Sequence, residues 1–160
     1  MKTATMLATA GVALAALGGA VWWASSDHAA ESNQERAALR PDDSRLTARG
    51  ASIYAAQCAS CHGANLQGQP NWRERGPDGL LPAPPHDASG HTWHHPDALL
   101  IRITRDGVAA VAGDPNYRTA MPIYRGLMSD EDIVAVLSWI KSRWPSDVRA
   151  KHDQINAQSR

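Results

Sequence analysis

The longest apolar segment lies at the N-terminus, where residues 3–26 contain no charged side chain. Alanine, glycine, leucine and valine dominate this segment, which follows Lys2 and includes the pair Trp22-Trp23. Because a helix of about 20 apolar residues spans the hydrocarbon core of a bilayer, its length fits a transmembrane anchor. A cleaved signal peptide is the alternative, with a cleavage site at Ala24-Ser25-Ser26. We predict that residues 1–26 are an anchor or a signal and that the remainder is exported.

The segments on either side of the central region are polar. Residues 27–44 are rich in alanine and in charges of both signs, and they lack periodic apolar positions, so we predict a linker. Residues 146–160 are equally polar and are expected to form a poorly ordered tail. The folded domain is therefore predicted to span residues 45–145.

Three segments of this domain carry apolar residues at helical spacing. The first, residues 46–57, contains Gly50, and a glycine inside a helix suggests close approach of a second helix. The second comprises residues 97–105. The third, residues 130–144, follows the N-cap Ser129 and begins with three acidic residues that complement the helix dipole. The pattern predicts an all-α fold of about 3–5 helices joined by long loops.

The connecting stretches are rich in glycine and proline. Residues 63–85 contain too many of both for a long helix or a central strand. Residues 108–120 are also expected to be irregular, and they lead to Met121-Pro122. Because proline disfavours the helical conformation of the preceding residue, Met121 is expected on an extended strap that can point its thioether inward.

Charge and cysteine content exclude several classes of function. The chain has 16 basic and 16 acidic residues, so it lacks the excess of positive charge that would indicate nucleic-acid binding. Its only two cysteines are Cys58 and Cys61. Two thiolates are too few for a structural zinc site, and no βαβ pattern surrounds them as in a thioredoxin-like motif.

The two cysteines belong to Cys58-Ala59-Ser60-Cys61-His62, a C-x-x-C-H motif typical of covalent haem attachment. Thiols three residues apart lie on one side of a helical turn, where both can form thioethers with a porphyrin. The histidine that follows can then bind the iron. The motif predicts one haem c held by Cys58 and Cys61, with His62 as an iron ligand.

Two residue types compete for the other axial position. Met121 stands on its strap, whereas Met128 precedes Ser129 and is explained as a hydrophobic staple onto the last helix. The alternative is a histidine, His91 or His94. Four histidines without an assigned role lie close together: His86, His91, His94 and His95. A second metal site among them is disfavoured, because adjacent histidines rarely face one ion. We expect Met121 to be the ligand.

The order of these elements resembles that of class I cytochromes c over about residues 46–145. The first helix with Gly50 and Tyr54, the haem motif followed by Gly63, the Met121-Pro122 strap and the closing helix succeed one another as in that family. The resemblance implies a membrane-anchored bacterial c-type cytochrome, with a few helices and long loops around one covalent haem. It also implies that the haem iron is held between a proximal histidine and a distal methionine.

The resemblance implies two further roles. Trp93, in the segment Gly90-His91-Thr92-Trp93, would donate its indole N–H to a haem propionate. Family members often orient the proximal histidine with a proline carbonyl in a G-P-x-L pattern. The nearest match is Ala83-Pro84-Pro85-His86, which gives that role to Pro84, with Pro82 as the alternative.

These observations predict an electron carrier of a respiratory chain, because His/Met coordination leaves no open position for a substrate. Its partners would be an unidentified electron donor and acceptor, with no nucleic acid and no small-molecule substrate. It would lie on the periplasmic side of the bacterial inner membrane, or be free in the periplasm if residues 1–26 are cleaved. Two alternatives stay open: the electron-transfer subunit of a larger dehydrogenase or oxidase, and a haem protein that binds a gas or peroxide after Met121 dissociates.

Overall fold

The structure is a computed structural model that describes residues 38–159. The predicted anchor or signal, residues 1–26, lies outside this range. Within it, no helix combines the length and the apolar character needed to cross a membrane. Residues 38–159 contain no β-strand and only an isolated bridge between Arg125 and Met128. The prediction of an all-α domain is confirmed.

The described residues form six α-helices and one 3₁₀ turn. The helices are α1 (Ser44–Gln57), α2 (Ala59–His62), α3 (Asp97–Asp106), α4 (Val108–Ala112), α5 (Asp130–Ser142) and α6 (Ser146–Gln158). The 3₁₀ turn, Thr92–His94, precedes α3. The three predicted helices correspond to α1, α3 and α5, whereas α4 lies in a stretch that was expected to be irregular.

The two longest of the predicted helices begin with side-chain caps. The carboxylate of Asp43 accepts hydrogen bonds from the backbone N–H groups of Arg45 and Leu46 at the start of α1. At the start of α5, the predicted N-cap Ser129 forms a capping box with Asp132, in which each side chain bonds the backbone of the other. A cap of this kind stabilises a helix by about 1 kcal/mol.

Helices α1 and α5 cross in close contact at Gly50. A Cβ at this position would overlap the carbonyl oxygen of Ala135 and would lie 2.8 Å from the Cβ of Trp139. One turn later the buried ring of Tyr54 packs against Trp139, with centroids 4.7 Å apart. The prediction that Gly50 allows close approach of a second helix is confirmed. This crossing fixes α1, and with it the haem motif that follows α1, on the core helix α5.

The folded unit extends beyond the predicted boundaries at both ends. The last part of the predicted linker is packed, because Leu39 is 6% exposed and its N–H donates to Asp97 Oδ2 at 2.9 Å. The expectation of a poorly ordered tail is wrong, because residues 146–158 form α6. Val148 and His152, one turn apart, are the buried residues of this mostly polar helix. The His152 ring packs edge-on against Trp144 at 5.0 Å.

Candidate functional site

A cavity of about 610 Å³ brings the predicted site residues together. Cys58, Cys61, His62 and Met121 all line it. Helices α3, α4 and α5 contribute an aliphatic part of the wall: Leu100, Ile103, Val108, Val136, Leu137 and Ile140. Its size and apolar character match those of cofactor sites, which combine apolar walls with a few polar groups. Two thiols, an imidazole and a thioether around one apolar cavity fit a covalently attached haem.

Cys58 lies at the junction of α1 and α2. Its carbonyl oxygen accepts hydrogen bonds from the backbone N–H groups of Cys61 at 3.2 Å and of His62 at 2.9 Å. Neither cysteine forms a disulfide. Burial raises the pKa of the Cys58 thiol to about 11, so the free side chain is protonated at neutral pH. The turn keeps the two sulfur atoms and the imidazole on the cavity side.

His62 has a defined tautomer. Its Nδ1 lies 2.8 Å from the carbonyl oxygen of Pro84, and because a carbonyl only accepts, Nδ1 carries the proton and donates it. The Nε2 atom is then left with a lone pair, as a metal ligand requires. Burial lowers the pKa of His62, and the hydrogen bond to Pro84 opposes this shift only in part. The ring is neutral at pH 7 and suited to bind iron.

The position of Pro84 depends on close contact between two loop segments. The backbone N–H of Gln69 donates to the carbonyl oxygen of Ala83 at 2.8 Å. Gly68 has a positive φ of 67°, and a Cβ there would lie 2.6 Å from the carbonyl carbon of Pro84. The loop therefore needs glycine at this position to bring the Pro84 carbonyl to His62.

Two tyrosines hold the backbone on either side of the haem motif. The hydroxyl of Tyr54 donates to the carbonyl oxygen of Gly63 at 2.8 Å. The hydroxyl of Tyr124 donates to the carbonyl oxygen of Gln57 at 2.9 Å. Both bonds satisfy carbonyl groups near helix ends, where no partner within the helix exists. The motif is thus anchored before Cys58 and after the end of α2.

Met121 lies on a segment without helix or strand, as its position before proline predicted. Its side chain is partly buried in the cavity wall, and its backbone N–H donates to the hydroxyl oxygen of Thr119 at 3.1 Å. The strap is tied to α3 by the N–H of Arg125, which donates to the carbonyl oxygen of Arg105 at 2.8 Å. Met128 packs against the core instead and does not line the cavity.

The histidines between residues 86 and 95 have different environments. His86, His91 and His95 line the cavity. His94 is exposed and stacks on Trp93, with ring centroids 3.6 Å apart. In residues 38–159 no group of three or more His, Cys, Asp or Glu side chains is arranged to hold a metal ion. The geometry therefore offers no support for a second metal site among these histidines.

Trp93, to which the resemblance gave a haem propionate, lies outside the cavity lining. Its indole N–H donates to the carbonyl oxygen of Ala88 at 3.3 Å. The tryptophan that lines the cavity is Trp72, whose ring lies 3.9 Å from the guanidinium carbon of Arg73 and stacks with the ring of His91 at 5.2 Å. Sequence reasoning missed Trp72, because nothing in its glycine- and proline-rich loop distinguishes it.

Comparison with known proteins agrees with this geometry. The family model described as Cytochrome c matches residues 47–144, which include the haem motif and the Met121 strap and end before α6. No solved structure matches the chain significantly. Proteins of the matched family hold haem c covalently and are typically electron carriers rather than enzymes. With this match over more than half of its 160 residues, the chain belongs to the cytochrome c family of haem-based electron-transfer proteins.

Proposed function

We propose that this protein is an exported c-type cytochrome that carries single electrons through one covalently attached haem with His62 and Met121 as axial ligands. The observation that supports the proposal most is the meeting of both cysteines, His62 and Met121 in the wall of one apolar cavity. A single haem is proposed because both cysteines of the chain belong to one motif.

The side chains around the cavity have separate roles towards the haem. The bound haem supplies a one-electron couple. Cys58 and Cys61 hold its edge, and His62 presents Nε2 because the Pro84 carbonyl occupies Nδ1–H. The aliphatic wall excludes water. A thioether ligand and apolar surroundings both favour the reduced state of the haem iron, and both therefore predict a high reduction potential for this protein.

Replacing the distal ligand tests the proposal. Met121→Ala is expected to abolish the far-red methionine–iron absorption band and to lower the reduction potential, because the thioether no longer stabilises the reduced state. The haem should stay attached through Cys58 and Cys61 and should still stain in a denaturing gel. Met128→Ala is the matched control, because Met128 packs on the core outside the cavity and its loss should leave the spectrum unchanged.

His91 is the second candidate for the distal position, since it also lines the cavity. Its ring is already stacked on Trp72, whereas Met121 comes from a separate strap. This difference favours methionine. If Met121→Ala left the absorption spectrum unchanged and His91→Ala altered it, the ligand set would be two histidines.

We further propose that the protein works on the periplasmic side of the inner membrane, where residues 1–26 anchor it. Family members usually act outside the cytoplasm. Fractionation with a haem stain, followed by the intact mass of the purified protein, tests this placement. If the haem protein were found in the soluble periplasm and lacked residues 1–26, this segment would be a cleaved signal peptide rather than an anchor.

Two further measurements separate the remaining functions. Purification in detergent tests the free carrier, because co-elution of a catalytic subunit at fixed stoichiometry would make this chain a subunit of a larger oxidoreductase. Carbon monoxide tests the gas-binding alternative. We expect no binding to the reduced protein at neutral pH, since two protein ligands fill both axial positions.

A further inference from the structure

His86 lies beside the proposed iron ligand, and the proposed function gives it no role. Its ring stacks on the ring of His62, with centroids 4.0 Å apart and planes inclined by 23°. It also lines the cavity. In the G-P-x-L pattern, the position of His86 is taken by leucine, so a planar polar ring here distinguishes this chain from the pattern.

A short chain of hydrogen bonds holds the ring of His86. Its Nδ1 lies 2.8 Å from the hydroxyl oxygen of Thr92. That hydroxyl donates in turn to the carbonyl oxygen of Pro85 at 3.4 Å. The shorter contact ties the His86 ring to Thr92, whichever of the two atoms donates.

The backbone of His86 is also held on both sides. Its carbonyl oxygen accepts a hydrogen bond from the indole N–H of Trp144 at 2.7 Å. Its own N–H donates to the carbonyl oxygen of Leu66 at 2.8 Å. Thr92 and Trp144 are themselves only 5% and 4% exposed. The plane of the His86 ring is therefore set by buried groups, and rotation would break the bond to Thr92.

We propose that His86 is a positioning residue that sets the ring plane of His62. The hydrogen bond to Pro84 restrains rotation of the His62 ring about its Cβ–Cγ bond at one ring atom only. Contact with a second ring, itself held by Thr92, adds a restraint across the face of the ring. Partners of this kind orient metal ligands and tune the metal they hold. The inference rests on the proposed function, because it requires His62 to bind iron.

Two properties of the holoprotein should report this role. The plane of an axial imidazole affects the splitting of the iron d orbitals, so the EPR g values of the oxidised protein depend on it. In addition, a polar ring beside the proximal ligand makes that side of the site more polar than leucine would. A more polar site favours the oxidised state and lowers the reduction potential.

The experiment uses the full chain with haem attached and compares three variants. In His86→Leu, covalent haem and the methionine–iron band should be retained, while the g values shift or broaden and the reduction potential rises. Thr92→Val removes the hydroxyl that bonds Nδ1 of His86 at nearly constant shape, and it should shift the g values in the same way with a smaller change in potential. His94→Leu is the matched control, since His94 is exposed and outside the cavity wall, and it should change neither property.

A shift of the g values in both His86→Leu and Thr92→Val, absent in His94→Leu, supports the positioning role. A shift in neither variant overturns it. So does a shift in His86→Leu alone, because His86 would then act by filling space rather than as a ring held by Thr92. An equal shift in His94→Leu also overturns it. Failure of the proposed function is distinguishable, because the absorption spectrum of His62→Ala would then be the same as that of the wild-type protein.

Discussion

Two backbone carbonyl groups near the haem motif accept hydrogen bonds from side chains. The Pro84 carbonyl accepts from His62, and the Gly63 carbonyl accepts from Tyr54. The sequence suggested Pro84 only through a family pattern that it matches poorly, and it offered no sign of the Tyr54 bond. Such bonds depend on where two loop atoms meet, and residue spacing does not encode that meeting.

Removal of the Tyr54 hydroxyl is expected to destabilise the protein. In Tyr54→Phe the Gly63 carbonyl keeps the backbone N–H of Leu66 as a donor at 3.1 Å but loses the Tyr54 hydroxyl, and Tyr54 is 1% exposed, so water does not easily take the place of that hydroxyl. We expect the free energy of unfolding to fall by about 1–2 kcal/mol, the usual range for a buried hydrogen bond. Denaturant unfolding of the holoprotein measures this change. An unchanged free energy of unfolding would mean that the hydroxyl does not hold the motif.

At the scale of elements, the predicted helices are those with a wide apolar face. Helix α5 buries residues on most sides, and α1 packs against it through Gly50, so both have the periodicity that sequence reasoning detects. Helix α4 has only five residues, too few to show a period. Helix α6 is mostly polar and buries only Val148 and His152, and a stripe that narrow is not a helical signature.

Gly50→Ala tests the crossing of α1 and α5. Alanine favours a helix over glycine by about 1 kcal/mol, but overpacking costs roughly 1–3 kcal/mol when neighbours cannot move. The neighbour at Gly50 is the backbone carbonyl of Ala135, which is part of α5. We therefore expect a net loss in the free energy of unfolding. Ser52→Ala, an exposed change in the same helix, is the control and should cause no loss. Stabilisation by Gly50→Ala would contradict a tight crossing.

For the whole molecule, the two ends of the folded unit meet at the start of α3. Asp97 accepts from the N–H of Leu39, and its own N–H donates to Asn156 Oδ1 at 2.7 Å. His152, fully buried, bonds the carbonyl oxygen of His95 through Nε2 at 3.0 Å and Asn156 through Nδ1 at 3.3 Å. These polar groups lie far apart in the sequence, so their network could not be predicted from it.

This network predicts a loss of stability in mild acid. Burial lowers the pKa of His152, an effect that Lys141 reinforces and Asp97, at 3.5 Å, opposes. Above the unfolded pKa of about 6.5 both states are neutral and the stabilisation is complete. As the pH falls below that value, His152 becomes protonated in the unfolded state but stays neutral in the folded state. The free energy of unfolding therefore declines until the pH reaches the lowered pKa of the folded state.

His152→Gln isolates this effect, because glutamine can donate to the His95 carbonyl but does not titrate. The difference in unfolding free energy between wild type and variant should be largest near pH 7.5. It should shrink progressively below about pH 6.5. Contributions of the other histidines cancel in this difference. Denaturant unfolding across that pH range gives the measurement, and a constant difference would show that His152 does not titrate differently on folding.

The residues that would bind the haem belong to short sequence motifs, whereas the residues that surround them come from distant parts of the chain. The C-x-x-C-H motif, the methionine before proline and the periodic helices can be read from residue spacing, because each depends on neighbours within a few positions. Tertiary structure alone decided that Trp72 rather than Trp93 lines the cavity, that His86 stacks on His62, and that α6 is packed. Each of these depends on contacts between segments distant in the chain, where shape and hydrogen-bond partners determine the outcome.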